Sequence, residues 1–138
     1  MKTKRLTYTL LLLCCIAALA GCTRNNGGEA DFYGQWHLMS MEREGKDVPG
    51  YDGNVYWSFQ SSTIDMKEVL PHNAPRSNYG NYRVIDETLY INFSCPDFMP
   101  PAILGLPRQA ELQIIELSGG RMTLAYGSPA TVYRFKRW

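Results

Sequence analysis

The sequence has 138 residues, 14 basic and 13 acidic, for a formal net charge of +1. That length favours a single domain, and a chain 45% hydrophobic and 20% charged is not wholly disordered. The near-neutral balance argues against a nucleic-acid binder working through bulk charge, because phosphate neutralisation needs clustered Lys and Arg.

Lys2, Lys4 and Arg5 precede an apolar run from Leu10 to Ala20. The run is shorter than the about 20 residues of a membrane span and has the length of a signal-peptide core. It ends Leu19-Ala20-Gly21-Cys22, which resembles the lipobox of bacterial lipoproteins. The resemblance implies a leader over residues 1–21 and a Cys22 that becomes the new N-terminus, lipidated on sulfur and carrying two or three acyl chains. The other reading is an ordinary cleaved leader with an incidental cysteine. Each buried methylene contributes about 0.8 kcal/mol, so several chains hold a membrane firmly where one is marginal. Cleavage leaves 117 residues and removes three basic ones, so the net charge becomes −2.

Residues 22–31 read as a lipidated tether, since Thr23 to Ala30 has turn and linker composition and no apolar residue able to pack. Cys14 and Cys15 leave with the leader and Cys22 carries lipid. Cys95 is then alone, and no intramolecular disulfide is expected despite an oxidising compartment.

From residue 32 to 138 the chain reads as one domain of short aromatic and β-branched runs between Gly, Pro, Asn and Asp, with a recurring period of 2. Tyr33 to Glu42 places Trp36 and Leu38 on one face and His37, Met39 and Met41 on the other. Val55 to Gln60 alternates Val55, Trp57 and Phe59 against Tyr56, Ser58 and Gln60. Thr63 to Glu68, Tyr79 to Ile85, Leu89 to Ser94, Ala110 to Leu117, Met122 to Tyr126 and Val132 to Arg137 complete eight predicted strands. Asp86-Glu87, Ser118-Gly119-Gly120 and Gly127-Ser128-Pro129 have hairpin chemistry, so consecutive strands are expected to pair antiparallel. Closing them removes both free edges, which makes the expected fold all-β, an eight-stranded antiparallel up-and-down barrel, ahead of an open sandwich. Glu44 to Asn54 is a polar loop. Cys95 to Pro107 is proline-rich yet apolar, with a short helical turn expected near Ala102 to Leu104, before the sixth predicted strand.

Gly34-Gln35-Trp36 on the first strand resembles the Gly-x-Trp start of the lipocalin and calycin barrels. The lipobox, the Ile103-Leu104-Gly105-Leu106 approach and the Phe135-Lys136-Arg137 ending are similar to small lipocalin-like domains of Gram-negative envelope lipoproteins. The resemblance implies that Gly34 and Trp36 close one barrel end beneath a basic residue of the last strand. Arg137 is favoured over Arg134 because it shares parity with Tyr133 and Phe135. Absence of the disulfide and C-terminal helix of secreted lipocalins argues against a large pocket.

No catalytic or metal site stands out. His37 and His72 lie on separate elements, zinc needs three or four converging ligands, and nothing local activates the Cys95 thiol. Asp65, Glu111 and Glu116 read as solvated charges, so neither an enzyme nor a cofactor is expected. The aromatic content points to binding: Trp57, Phe59, Tyr82, Phe93 and Tyr126 share inward parity, with Phe98 in the apolar loop at a proposed mouth. They line a cavity for a small hydrophobic ligand or simply form the core of a filled barrel. The loop over them is correspondingly a lid or a plug. The expected partners are the lipid bilayer, through acylated Cys22, and a small hydrophobic ligand or a protein, with no nucleic acid. The expected location is the Gram-negative envelope, on the outer membrane facing the periplasm.

Overall fold

The computed structural model describes residues 29–138. Its strands are β1 (Gly34–Arg43), β2 (Lys46–Asp47), β3 (Val55–Gln60), β4 (Thr63–Glu68), β5 (Arg76–Ile85), β6 (Thr88–Phe93), β7 (Gln109–Ser118), β8 (Arg121–Tyr126) and β9 (Thr131–Arg137). All but β2 form an antiparallel meander, and β1 also pairs with β9, so eight strands close into a barrel. The two-residue β2 folds back on Glu42 and Arg43 inside the loop read as irregular, which makes the sixth predicted strand β7. A 3₁₀ turn over Ala102–Leu104 precedes β7, with Pro101 at its N-cap. A second 3₁₀ turn spans Glu29–Phe32 ahead of β1.

Alternation of apolar and polar residues puts one face of each strand inside, as on β3, where Val55, Trp57 and Phe59 have no accessible surface. One face assignment on β1 is corrected. Met41, expected opposite Trp36 and Leu38, is buried with them, because the β1–β9 register shifts between Leu38 and Ser40. A bulge adds one residue and reverses the parity beyond it. Met39 is left outside, 52% exposed, and the Leu38 carbonyl at the shift accepts the Tyr51 hydroxyl at 2.5 Å. A similar shift between Ile114 and Glu116 leaves Ile115 exposed on β7.

Tight turns form where the sequence supplies residues tolerant of positive φ. Asp86 and the Gly119-Gly120 pair turn the β5–β6 and β7–β8 hairpins. Gly80 answers a different need. A Cβ there would lie 2.0 Å from the Asn92 carbonyl oxygen, so glycine is what lets β5 lie against β6 opposite Phe93.

Candidate functional site

At one end of the barrel Trp36 is buried and donates its indole N–H to the Phe32 carbonyl at 2.7 Å. The Arg137 guanidinium lies 4.5 Å from the centre of the Trp36 ring and donates to the carbonyls of Tyr33 at 2.8 Å and Asp31 at 2.9 Å. Gly34 has φ of 117° beside the same guanidinium. Arg134 alternates outward and pairs with Glu42 at 2.9 Å. Phe32, which the sequence did not mark as a stopper, has no accessible surface and packs 5.2 Å from Phe59 and 6.1 Å from Tyr82.

The other end is filled by the 95–107 loop. Leu104 and Leu106 are buried, and the Leu104 carbonyl accepts the Tyr133 hydroxyl at 2.5 Å. Burial dominates at Tyr133 and pushes its phenol up to about 12, although Arg43 nearby favours ionisation. Two polar side chains fasten the loop. Asn78, fully buried, accepts from the Met99 N–H at 2.7 Å and donates to the Met99 carbonyl at 3.1 Å. Arg108 donates to the carbonyls of Phe93 at 3.0 Å and Cys95 at 2.7 Å, with its guanidinium 5.1 Å from the Phe98 ring centre. Phe98 itself stacks on Phe93, 5.1 Å away at 26°, so the loop packs as a plug.

Of the residues named as cavity-lining, Trp57, Phe59 and Phe93 have no accessible surface, so no void large enough for a water molecule touches them. They are core. Trp57 packs 4.9 Å from Phe135, with its indole N–H unpartnered. Tyr82 and Tyr126 instead border an open cleft of about 740 Å³ over β5, β6 and β7. Tyr82, Ile91 and Ala110 beneath it are almost fully buried, so its open surface belongs to their outward-facing neighbours. Two cross-strand rows supply these, Asn81–Asn92–Gln109 and Arg83–Tyr90–Glu111. The Arg83 guanidinium stands 5.2 Å from the Tyr90 ring centre. The cleft therefore offers three carboxamides, one charge of each sign and aromatic surface. Alternation alone does not reveal it, because it depends on which residues the register sets side by side.

Cys95 is buried, its thiol 3.9 Å from Asn78 Oδ1. His37 bonds the Gly53 carbonyl at 2.7 Å through Nε2, and His72 is an exposed loop residue. Among the described residues no three His, Cys, Asp or Glu side chains group to hold a metal. Cys22 lies outside the described residues.

A closed eight-stranded meander, stoppered at one end by a Trp under an Arg, defines a lipocalin-type barrel. Residues 17–98 match the family model described as the lipocalin-like domain, and the chain belongs to that family. A lipocalin-like protein from Bacteroides uniformis has a similar fold, with a TM-score of 0.66 at 19% identity over 78% of this chain and 99% of that one. An uncharacterized protein from Bacteroides eggerthii gives 0.64 at 18% identity over the same shares. No curated protein matches the sequence.

Proposed function

We propose that this protein is an envelope lipoprotein, anchored through acylated Cys22, whose barrel binds a small ligand without catalysis. The ligand is small, with an apolar part for the aromatic surface and polar edges for the Asn81, Asn92 and Gln109 carboxamides, and its place is the outer cleft rather than the barrel axis. The observation that carries this reading is the contrast between a core whose largest rings have no accessible surface and a 740 Å³ cleft bordered by Tyr82 and Tyr126. Ligand sites commonly have a volume of several hundred cubic ångströms, and placed polar groups of the kind Asn81, Asn92 and Gln109 supply fix a ligand's orientation. The anchor and the envelope location rest on the lipobox, and the absence of an acidic run after Cys22 favours the periplasmic side.

Titration of an environment-sensitive apolar dye tests the binding site. Saturable binding is expected, weakened by Tyr90→Ala, which removes the outward-facing ring of the cleft and no core contact. Phe98→Ser is expected to lower the melting temperature and leave dye affinity alone, because Phe98 belongs to the plug. Absence of saturable binding to the folded wild type would reject the cleft as a site for such ligands. The filled core then favours the second reading, a protein-interaction module. The anchor has its own test. Cys22→Ser should release the protein from membranes or block its maturation, and a variant that still floats with membranes after a salt wash would refute lipidation.

A further inference from the structure

The outer wall over β8, β9, β1, β3 and β4 carries one continuous cross-strand row, Arg121–Lys136–His37–Tyr56–Lys67. On this row His37 stacks on Tyr56 at 4.5 Å and 10°. Trp138 stands edge-on to both rings, at 5.7 Å and 5.5 Å, and is 74% exposed. The residue is held there by its backbone N–H, which donates to the Gln35 carbonyl at 2.8 Å. Three rings thus form an ordered platform on the outside of the barrel, where burial of a core does not explain them. Arg121 is balanced by Glu116 at 3.3 Å and Lys67 by Asp65 at 3.4 Å, whereas Lys136 has no carboxylate partner among the described residues.

The geometry points to the occupant of this platform as the phospholipid headgroup layer of the membrane that holds the anchor. Two observations select a membrane over a soluble partner. The first is where the chain outside the structure ends. The 3₁₀ turn Glu29–Phe32 sits at the same barrel end as Trp138, joined to the last strand by the Arg137 bonds to Asp31 and Tyr33. Only six residues lie between Cys22 and Glu29, seven steps along the chain with a reach of about 25 Å at full extension, so an anchored Cys22 keeps this end beside the bilayer. A tether that short gives the platform an effective concentration against the surface of about millimolar, so even a weak contact is occupied. The second is the chemistry of the platform. Indole and phenol rings with one apolar body and one polar tip favour the headgroup level, and the unbalanced Lys136 adds attraction for phosphate. Tyr33, whose carbonyl Arg137 holds at this same end, is a further exposed aromatic, 42% accessible.

This inference rests on the anchoring reading, so its test separates the two. Trp36 and Trp57 are buried, which leaves Trp138 as the indole that iodide reaches. The acylated protein is reconstituted in phosphatidylcholine vesicles with and without phosphatidylglycerol, and acylation is read independently from the mass of the N-terminal peptide. A blue-shifted emission and a severalfold loss of iodide quenching on membranes are expected. Both disappear in Trp138→Ala, and Lys136→Glu reduces the protection most where anionic lipid is present. An acylated protein that floats with vesicles while iodide still quenches Trp138 fully would overturn the platform and leave the anchor standing. If the chain is not acylated, the anchoring reading fails, and residues 29–138, a closed barrel with its own core, are titrated with the same vesicles at millimolar lipid. A saturable blue shift that depends on Trp138 then supports the platform, and a flat titration overturns it.

Discussion

The Arg137 guanidinium covers the Trp36 ring at 4.5 Å while its two Nη atoms hold the carbonyls of Tyr33 and Asp31, so one exposed cation ties the last strand to the segment before the first. Trp36→Ala should cost about 3–5 kcal/mol, as for other buried Trp deletions. Arg137→Ala should cost less, with a coupling between the two of about 0.5–1 kcal/mol for a cation over a ring at an exposed site. Urea unfolding of both single variants and the double variant measures it, and strict additivity would dissolve the pairing.

The two buried tryptophans should respond differently to Phe. Trp36→Phe leaves the Phe32 carbonyl without its 2.7 Å donor, at a cost of about 1–3 kcal/mol beyond the lost ring area. Trp57→Phe removes an indole N–H that already has no partner, so part of its area loss is offset. The melting temperature should fall further for Trp36→Phe; the opposite order would refute the hydrogen-bond argument.

Asn78→Ala strips the Met99 N–H and carbonyl of a buried partner and should cost about 1–3 kcal/mol. Hydrogen exchange should accelerate over the 95–107 loop before the strands are affected. Uniform acceleration throughout the barrel would show that Asn78 supports the core rather than the plug.

Burial holds the phenols of Tyr51 and Tyr133 up at about 12, against 10 for the unfolded chain. Between these values the unfolded chain gives up protons that the folded one keeps, so stability is complete below pH 10 and falls as the pH rises toward 12. A shift of that size at Tyr133 corresponds to about 2–3 kcal/mol. Tyr133→Phe should flatten the alkaline slope followed by urea midpoints. An unchanged slope would mean that Tyr133 ionises in the fold as easily as outside it.

Gly80→Ala drives a methyl into the Asn92 backbone, which unlike a side chain cannot swing aside. A loss of about 3 kcal/mol is expected on thermal unfolding, the upper range for overpacking. A variant as stable as the wild type would show that β5 and β6 part without penalty.

The barrel was legible because its strands alternate cleanly: Val55 to Gln60 and Thr63 to Glu68 have the bounds the sequence predicts. Alternation puts Met41 on the wrong face because a bulge is a single added residue, with no marker in Met39-Ser40. Phe32 precedes the first strand, where pattern carries no information, so nothing in the sequence marks it as a stopper. The parity that chose Arg137 over Arg134 depended only on the last strand being regular. The cleft and the aromatic row were invisible for another reason. Asn81, Asn92 and Gln109, or Lys136, His37 and Tyr56, become neighbours only through register, which no local period encodes.

Because β1 and β9 are antiparallel neighbours, the segment entering the barrel and residue 138 meet at one rim. A short linker from Trp138 to Asp31 would make the polypeptide circular, and reopening it within 127–130 would keep every ladder while moving both ends to the opposite rim, where exposed turns tolerate new termini. With residues 1–30 moved to the new N-terminus, a barrel anchored as proposed would face its membrane upside down, with the plug toward the lipid and the three rings turned to water.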